Sequence, residues 1–572
     1  MPVKARWWPA VVILGLWAAA ITRAWLFQDT IRQFRVLQTV HATVLAVLAL
    51  LLWLLFASRL PRRIGLRGLG GLVAALAIAG ALFRVRGVTG DLVPILEPRW
   101  ASRADLPRPP ELPVEPAAAA AAPAATAPEP AGASARPAES GQPPPPAAAP
   151  ASPGPAPTPG GSVPPLPSPP AFARLVRDYP QFLGPNRDAT LPDLRLARDW
   201  SSRPPRRLWR QPIGAGWSAF AVAGGLAVTQ EQRGGEELVV AYDLATGRPR
   251  WSHADRTRYE TVIAGVGPRA TPAIAGGRVF ALGATGILNA LDLVSGRPLW
   301  SHRVVEEAGA TLPSWGKANS PLVVDGRVIV SAGGPDGRSL VAYDGETGAL
   351  AWSGGSDRST YSSPVLATLA GRPQVVAFNR GGVAAHDPGT GAVLWEYPWK
   401  LEADVAATPL PLPGDRVLVS AGYGIGSRLL QVEAGEDGGL KARLVWESLR
   451  LKSKFANLVA HQGFVYGLDD GVLTCLDPAT GERRWKGGRY GHGQIVLAGD
   501  LLLVQDEQGE LVLVEATPEA HREVARFPVL EGKTWNPPAL AGAVLVVRND
   551  REAAAYELPL ADVVASGTPG GE

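Results

Sequence analysis

Basic and aromatic residues recur together from residue 217 onward, each group lying a few residues before a small polar residue. The basic residues are Arg269, Lys317, Lys454, Arg489, His492 and Lys533. The aromatic residues are Trp217, Trp315, Tyr361, Phe455, Tyr490 and Trp535. Cations pair with carboxylates, and aromatic rings attract cations and offer flat faces. On one rim, these side chains would suit a planar anion; the alternative is that the aromatics only fill a crowded channel.

The small polar residues provide the reason for expecting a common rim. They are Ser218, Thr271, Ser320, Ser363, Thr408, Asn457, Gln494 and Asn536. Each stands near the start of a predicted strand, once per repeat, so we expect them to ring one end of a central channel. The loops just before them would form its mouth. Lys533, Trp535 and Asn536 lie in a single stretch, which is the most ligand-like part of that mouth.

Acidic residues that could catalyse a reaction are scarce near the predicted mouth. Hydride abstraction requires a general base, and bound calcium requires several oxygen ligands. The candidates are Asp404, Glu231 and Glu260, and none sits in a recognisable catalytic motif. We retain only Asp404 as a candidate base. The sequence shows no Gly-rich phosphate loop, Ser/His/Asp grouping or metal-ligand cluster, so we predict no metal site.

These side chains are placed by a repeat that reads Ala-x-Asp-x-x-[Thr/Ser]-Gly-x-x-x-Trp. Its aromatic positions, 39 to 52 residues apart, are Trp209, Trp251, Trp300, Trp352, Trp395, Trp446, Trp485 and Phe527. Its best acidic positions are Asp243, Asp292, Asp344, Asp387 and Asp477. The Asp can cap its own turn, the Gly supplies a positive φ, and the Trp can pack between neighbouring sheets.

A period of about 45 residues with short alternating strands is typical of propeller blades. Eight units fit residues 209–558, so we predict an all-β, eight-bladed propeller. Seven blades is the alternative, if the degenerate unit around Val432–Trp446 is an insertion. The 65 Gly and 55 Pro among 572 residues argue against a mainly helical protein. The single cysteine, Cys475, excludes an intramolecular disulfide and takes a repeat position otherwise filled by Ala.

Three apolar stretches precede the repeats, roughly Trp7–Phe27, Val36–Ala57 and Leu69–Phe83. The first two are long enough to cross a bilayer, which takes about 20 residues, and the third is shorter. A cleaved signal peptide is the alternative for the first stretch, but bulky residues stand where cleavage needs small ones. The loop charges place the N-terminus inside, and three crossings place the rest of the chain outside the cytoplasm. If the third stretch does not cross, this side inverts.

The chain therefore divides into four predicted parts. Residues 1–90 are a transmembrane region with about three helices, and residues 91–172 are a disordered linker. Residues 173–560 are the propeller, and residues 561–572 are a flexible tail. The linker prediction rests on 23 Pro within residues 107–170, which cannot build a core. The first 103 residues carry 13 Lys and Arg against 3 Asp and Glu, which indicates membrane topology rather than nucleic-acid binding.

The repeat resembles the pyrroloquinoline quinone (PQQ) repeat of eight-bladed quinoprotein propellers. The segment Asp178–Asp188, DYPQFLGPNRD, is also similar to the opening of bacterial propellers of this group. The resemblance implies a superfamily that holds dehydrogenases as well as a non-catalytic propeller of the outer-membrane assembly machinery. The adjacent-cysteine disulfide that these dehydrogenases carry beneath their cofactor is absent, because Cys475 stands alone.

We interpret the sequence as a membrane-anchored, extracytoplasmic propeller of a bacterial inner membrane that acts as a non-catalytic binding or assembly module. The alternative is a PQQ-dependent membrane-bound dehydrogenase of alcohols or sugars. We expect no cofactor in the first case, and PQQ with calcium in the second. The expected partners are the membrane and a protein or a planar anionic small molecule, but not nucleic acid.

Overall fold

The computed structural model describes residues 6–27, 32–100, 170–261, 263–436 and 438–562. Most of the predicted linker (residues 101–169 of 91–172) and most of the predicted tail (residues 563–572 of 561–572) lie outside the described residues. The described chain forms three apolar helices, a β-hairpin and a ring of β-sheets.

The helices correspond to the three apolar stretches. Helix α1 (Trp8–Thr22) continues as a π-helical turn to Phe27, and α2 (Arg32–Leu52) continues likewise to Ala57. Helix α3 spans Arg62–Leu82. All three are long and apolar enough to cross a membrane, including the third, whose length the sequence had left open. Trp17 and Trp25 of the first helical segment donate to Thr43 and Thr39 of α2.

Two strands follow α3 without a break. Strand β1 (Phe83–Val88) pairs antiparallel with β2 (Pro94–Pro98), and residues 89–93 form the turn. This hairpin, residues 83–98, crosses the boundary that the sequence suggested at residue 90. After the undescribed segment come α4 (Pro170–Ala173), β3 (Thr190–Leu191) and β4 (Arg206–Pro212).

Eight sheets of four or more strands then form the ring, which confirms the eight-bladed propeller. Blade 1 contains β5 (Ala221–Ala223), β6 (Leu226–Arg233), β7 (Glu236–Asp243) and β8 (Pro249–Asp255). A short pair, β9 (Glu260–Thr261) and β10 (Gly265–Val266), follows. Blade 2 contains β11 (Ala273–Ala275), β12 (Arg278–Leu282), β13 (Ile287–Asp292) and β14 (Pro298–Arg303).

Helix α5 (Val304–Glu307) connects blade 2 to blade 3. Blade 3 contains β15 (Leu322–Val324), β16 (Arg327–Ser331), β17 (Leu340–Asp344) and β18 (Leu350–Gly354). Blade 4 contains β19 (Val365–Leu369), β20 (Arg372–Phe378), β21 (Gly382–His386) and β22 (Val393–Pro398). Blade 5 contains β23 (Leu410–Leu412), β24 (Arg416–Ala421), β25 (Gly426–Ala434) and β26 (Leu440–Ser448). The degenerate unit is thus a full blade, not an insertion.

Blades 6 to 8 complete the ring. Blade 6 contains β27 (Val459–His461), β28 (Phe464–Asp469), β29 (Val472–Asp477) and β30 (Glu482–Arg489). Blade 7 contains β31 (Gln494–Ala498), β32 (Leu501–Gln505), β33 (Glu510–Glu515) and β34 (Glu523–Pro528), with β3 added in parallel to β31. Blade 8 contains β35 (Ala539–Ala541), β36 (Val544–Arg548) and β37 (Glu552–Glu557). Its outer strand is β4, so the two ends of the propeller close the ring together.

The repeat residues hold neighbouring blades together as their spacing indicated. Each aromatic anchor lies on the outermost strand of its blade, and most of the tryptophans reach a turn of the next blade. Trp352, for example, is 6% exposed and donates from Nε1 to the Pro388 carbonyl at 3.0 Å. A Cβ on Gly391, in the same turn, would lie 2.3 Å from its ring. Trp395 instead donates within its own blade, to Gln374 at 2.6 Å, because blade 5 lacks the standard turn.

Candidate functional site

The predicted polar ring lies where the innermost strands begin, and all of its side chains are buried. Hydrogen bonds link its members from one blade to the next. The Thr271 amide donates to Ser320 at 2.9 Å, and the Ser320 amide donates to Ser363 at 2.9 Å. Asn536 donates to the Ser218 carbonyl at 2.8 Å, which joins blade 8 to blade 1. The ring therefore encircles the channel and defines its mouth, meaning the end formed by the loops just before these residues.

The end of the channel opposite the mouth is closed by the lead-in, residues 178–189. Tyr179 bridges to Val222 of blade 1, and the Leu497 amide of blade 7 donates to the Ala189 carbonyl. The Arg187 guanidinium is buried and donates to three carbonyls, of Ser320, Pro321 and Pro364, at 2.6 to 2.9 Å. Burial lowers the pKa of Arg187 to about 9, so the group is charged at neutral pH.

The mouth itself is closed by the turn of the β1–β2 hairpin. The Gly90 amide donates to Glu507 at 2.7 Å, and the Gly90 carbonyl accepts from Lys454 at 2.5 Å. Lys533 donates to the Val88 carbonyl at 3.3 Å, and Asp91 lies 3.2 Å from the His492 Nε2 atom. The N-terminus of α2 reaches the same place, since Lys454 also donates to Gln33 at 2.7 Å. The mouth therefore faces the helical segment.

Between these two closures lies a cavity of about 300 Å³ with a mostly apolar wall that contains seven aromatic residues. Its aromatic lining is Phe182, Trp217, Trp315, Tyr361, Tyr423, Phe455 and Trp535. Trp535 is central to this cluster, because its ring centroid lies 4.9 Å from that of Trp217 and 5.2 Å from that of Phe455. Its Nε1 donates to Glu507 at 2.8 Å. Such a wall can enclose a flat or apolar molecule.

Lys454 and Lys533 point to the mouth as predicted, but both are engaged. The Lys454 ammonium lies 4.5 Å from the Tyr423 ring centroid, and the Lys533 ammonium lies 4.0 Å from that of Trp535. Burial lowers the pKa of each lysine to about 8. Each lysine also donates to a backbone carbonyl of the hairpin, and Lys454 donates in addition to the Gln33 side chain of α2. His492 is likewise buried, with its ring against Phe455 and Asp91.

The other predicted cations do not join them. Lys317 is fully buried in blade 3, where it donates to the carbonyl of Ser331 at 2.5 Å, and burial lowers its pKa to about 7. Arg489 is exposed and donates to the Asp470 carbonyl at 3.2 Å. Arg269 does line the cavity, but its guanidinium donates to carbonyls of its own loop and covers the Tyr259 ring at 4.8 Å. A common offset in the repeat fixes the backbone position, not the direction of a long side chain.

The candidate base Asp404 lies at the cavity wall. It accepts from the Trp315 indole at 2.6 Å and lies 3.7 Å from Arg380, while the Trp315 amide donates to the Tyr361 hydroxyl at 3.1 Å. Glu231 is buried elsewhere, paired with Arg233. Glu260 is exposed and is paired with Arg258 on the same loop. Asp404 is thus the one predicted carboxylate at the cavity, and it holds Trp315 in place.

Two other buried residues, His386 and Cys475, have structural roles. His386 is buried and its Nδ1 lies 3.0 Å from the Gly391 carbonyl. Cys475 is buried beside Tyr466, and burial raises the pKa of its thiol to about 12. A thiol with that pKa is a poor nucleophile at neutral pH.

Sequence reasoning missed two acidic residues that organise the mouth. Glu507 is buried and accepts from the Gly90 amide, the His492 amide and the Trp535 indole. It lies in the turn after β32, away from the polar ring in sequence, so the offset rule could not find it. Asp91 lies outside the repeats. The only signal available was the motif Thr89-Gly90-Asp91 between two short β-prone runs, which is typical of a hairpin turn.

The residues around the cavity match only part of PQQ, a flat trianion, with calcium. The aromatic wall suits its flat face, but Arg269 is the one predicted cation that both lines the cavity and is free of the hairpin. Within the described ranges no group of three or more His, Cys, Asp and Glu side chains is arranged to hold a metal ion. With the hairpin in place, the donor set therefore does not match this cofactor.

Comparisons with known proteins found a matching family model and several similar solved structures. The family model described as outer membrane protein assembly factor BamB matches residues 200–313 and 236–487, about half of the chain. Among solved structures, BamB from Moraxella catarrhalis is 19% identical, with a TM-score of 0.45, over 62% of this chain and 98% of that chain. Quinohemoprotein alcohol dehydrogenase from Comamonas testosteroni is 14% identical, with a TM-score of 0.46, over 70% and 84%. A europium-containing methanol dehydrogenase is 14% identical, with a TM-score of 0.41, over 68% and 100%. No curated protein matches the sequence.

Proposed function

Because the chain belongs to the family of PQQ-like repeat β-propellers, we propose that it is a membrane-anchored, extracytoplasmic binding or assembly module without catalytic activity. Helices α1–α3 anchor it in a bacterial inner membrane, and the propeller stands on the periplasmic or extracellular side. Its partner is a protein, and nucleic acid is not among its ligands.

One observation carries this proposal: the strongest polar groups of the mouth contact polypeptide backbone. Lys454 and Lys533 donate to hairpin carbonyls, and Glu507 accepts from a hairpin amide. Charge-assisted hydrogen bonds of this kind are about twice as strong as neutral ones. A mouth that already uses its cations and its buried carboxylate on main-chain groups is suited to binding protein.

The placement of the helices supports the proposed side of the membrane. The N-terminus of α2 and the C-terminus of α3 both lie next to the mouth, since Arg32 pairs with Asp91 at 3.3 Å and β1 continues directly from α3. These two helix ends share one side of the bilayer if all three helices cross. With the N-terminus inside, that side is outside the cytoplasm.

A PQQ-dependent dehydrogenase of alcohols or sugars is the second candidate, favoured by the aromatic cavity. With the hairpin displaced, Trp535 and Trp217 would offer flat faces to such a cofactor and Arg269 would offer a cation. In this case Asp404 would need to leave Trp315 to act as a base. The sequence also suggested a planar-anion site. It remains a proposal, and its residues would be Lys317, Lys454, Arg489 and Lys533.

Titration of the full chain with PQQ and calcium separates the two candidates. The chain is purified in detergent, and binding is followed by tryptophan fluorescence and by calorimetry. Dye reduction with a panel of alcohols and sugars is measured in parallel, with a known quinoprotein as a control for a redox-competent cofactor. We expect no substrate-dependent dye reduction. Turnover that requires PQQ and falls on Asp404→Asn substitution would refute the proposed function.

A further inference from the structure

The hairpin turn meets the mouth through groups that a hairpin cannot satisfy by itself. The ladder of β1 and β2 ends at the pair Val88 and Pro94, so the backbone of Gly90 has no partner within it. In the mouth, the Gly90 amide and carbonyl each find a charged partner, Glu507 and Lys454. Buried backbone groups without partners are costly, so this pairing is specific for a turn in this position.

The fit around Gly90 is tight enough to select the residue. Gly90 is buried, and a Cβ added there would lie 2.0 Å from Cδ2 and 2.5 Å from Cγ of the His492 ring. Real side chains do not approach so closely. By contrast, a Cβ on Gly87, in the same hairpin, would meet only the end of Lys533, at 3.5 Å. The mouth therefore excludes a side chain at Gly90 but leaves room for one at Gly87.

A charge on the turn matches charges around it. Asp91 lies 3.2 Å from His492 and 3.3 Å from Arg32. Burial acts to raise the pKa of Asp91, but the contacts with His492, Arg32 and Lys454 lower it overall. The carboxylate is therefore held in its ionised form, which a neutral residue at this position would not reproduce.

Ion pairs outside the turn fix the two strands at the rim. Arg86 of β1 pairs with Asp550 at 2.8 Å, and Glu97 of β2 pairs with Arg551 at 2.5 Å. Both partners belong to the loop between β36 and β37 in blade 8. The hairpin is therefore held by side chains and by its turn, and its strands pair only with each other.

The chain order allows the hairpin to be a separate body. It continues from α3 on one side, and residues 101–169 separate it from α4 on the other side. It pairs with none of the eight blade sheets. A two-stranded hairpin alone is marginally stable in water, so docking is what orders it.

We propose that the mouth of the propeller is a binding site for the acidic Gly-Asp turn of a β-hairpin, and that residues 83–98 fill it in cis as a plug. The plug closes the aromatic cavity on the side of the membrane and fixes the propeller against its anchor. This inference rests on the proposed function and deepens it, because it names the class of ligand that the mouth accepts.

Hydrogen–deuterium exchange of the full chain in lipid nanodiscs tests the plug. Gly90→Ala is compared with Gly87→Ala as the matched control. In the wild type and the control, the amides of the hairpin and of residues 454–457 and 490–494 should be protected. In Gly90→Ala their protection should fall by about tenfold or more, the equivalent of one lost charge-assisted hydrogen bond. Strands of the blades should remain protected in all three proteins.

Asp91→Asn provides a second variant that leaves every propeller residue unchanged, and it should lower protection at the same amides. Two results would overturn the plug: a wild-type hairpin that exchanges as fast as an unstructured peptide, or Gly90→Ala protection equal to that of the control. Either result is independent of PQQ binding and dye reduction, so it is distinguishable from failure of the proposed function.

Recognition of the turn itself is tested in trans. A peptide of residues 83–98, closed by a disulfide between cysteines at positions 83 and 98, is added to the Gly90→Ala chain. These positions face each other in the hairpin register. The peptide should restore protection of residues 454–457 and 490–494, and the same peptide with Ala at position 90 should not. No rescue by the first peptide would show that the tether, not the turn, holds the hairpin in place.

Discussion

The two ends of the channel are closed by the two segments that precede the blades, but with opposite chemistry. At the mouth, side chains of the propeller donate to the backbone of the hairpin, as Lys454 does to Gly90. At the other end, a side chain of the lead-in donates to the backbone of the propeller, as Arg187 does to Pro321. The lead-in also bridges to Val222, and β3, which follows it directly, pairs with blade 7. The hairpin pairs with no blade.

This difference indicates which closure is permanent. Removing the lead-in would break backbone pairing and leave buried carbonyls without donors, so it belongs to the folded ring. Removing the hairpin would return charged side chains and turn amides to water, where they are well solvated. The same cavity thus has one wall that is part of the fold and one that is a bound ligand.

The largest effect is expected from a defect between the outer strands of two blades. Trp352→Ala should lower the free energy of unfolding by about 3–5 kcal/mol, because it removes a buried aromatic side chain between two blades. Trp300→Ala should lower the free energy of unfolding by less, because Trp300 is only half-buried. Denaturant unfolding measures both. Hairpin protection should not change in either variant at temperatures where the ring is folded; a selective loss there would show that the mouth depends on blade packing.

Arg187→Met should produce the next largest effect. Three buried carbonyls lose their donor, at about 1–3 kcal/mol each, and release of the buried charge offsets part of this, so we expect a loss of about 2–4 kcal/mol. Arg174→Met, at an exposed site in the same N-terminal segment, is the control. A melting temperature equal to that of the control would mean that the lead-in is as removable as the hairpin.

Lys533→Met should weaken docking of the hairpin while leaving the stability of the folded ring nearly unchanged. The mouth loses a donor to Val88 and two cation–π contacts, with Trp217 and Trp535. Because a half-buried charge is also removed, the melting temperature should stay within the range of Lys400→Met, an exposed control. Hairpin protection should still fall several-fold. A large global destabilisation would place Lys533 in the fold rather than in the docking site.

The smallest effect is the dependence of docking on pH. Docking lowers the pKa of Asp91 below its ordinary value of about 3.9, so docking is favoured above that value and weakens as the pH falls through the lowered pKa. Exchange protection, corrected for the intrinsic rate at each pH, should therefore decline in acid before the blades unfold. Asp91→Asn should show weak protection without this acid step; an unchanged step would assign it to another carboxylate.

The propeller fold was predictable because the sequence signals that specify it are local. Asp, Gly and Trp recur within eleven residues of one another, and each contacts its own blade or the next one, so a period in sequence became a period in space. Even the degenerate unit before Trp446 kept its strands. The polar ring followed from the same logic.

The candidate site was only partly predictable, because its contacts are neither local nor periodic. The Gly90 amide and Glu507 are separated by 417 residues, and the hairpin lies where the sequence indicated an anchor and a linker. Lys317 and Lys454 share an offset in the repeat, yet one enters its own blade and the other faces the mouth. The direction that each lysine side chain takes depends on neighbouring carbonyls and aromatic rings, which only the folded chain brings together.

The pairing of β4 with β37 also constrains how the protein is made. Strand β4, residues 206–212, is synthesised before every strand of blades 1 to 7 except β3, yet its partner β37, residues 552–557, is synthesised last. Until then the nascent propeller is an open arc with unpaired strand edges, which can join the edges of other chains. Pairing over such a sequence distance is also slow. A ribosome that stalls before β37 therefore releases an arc rather than a smaller ring.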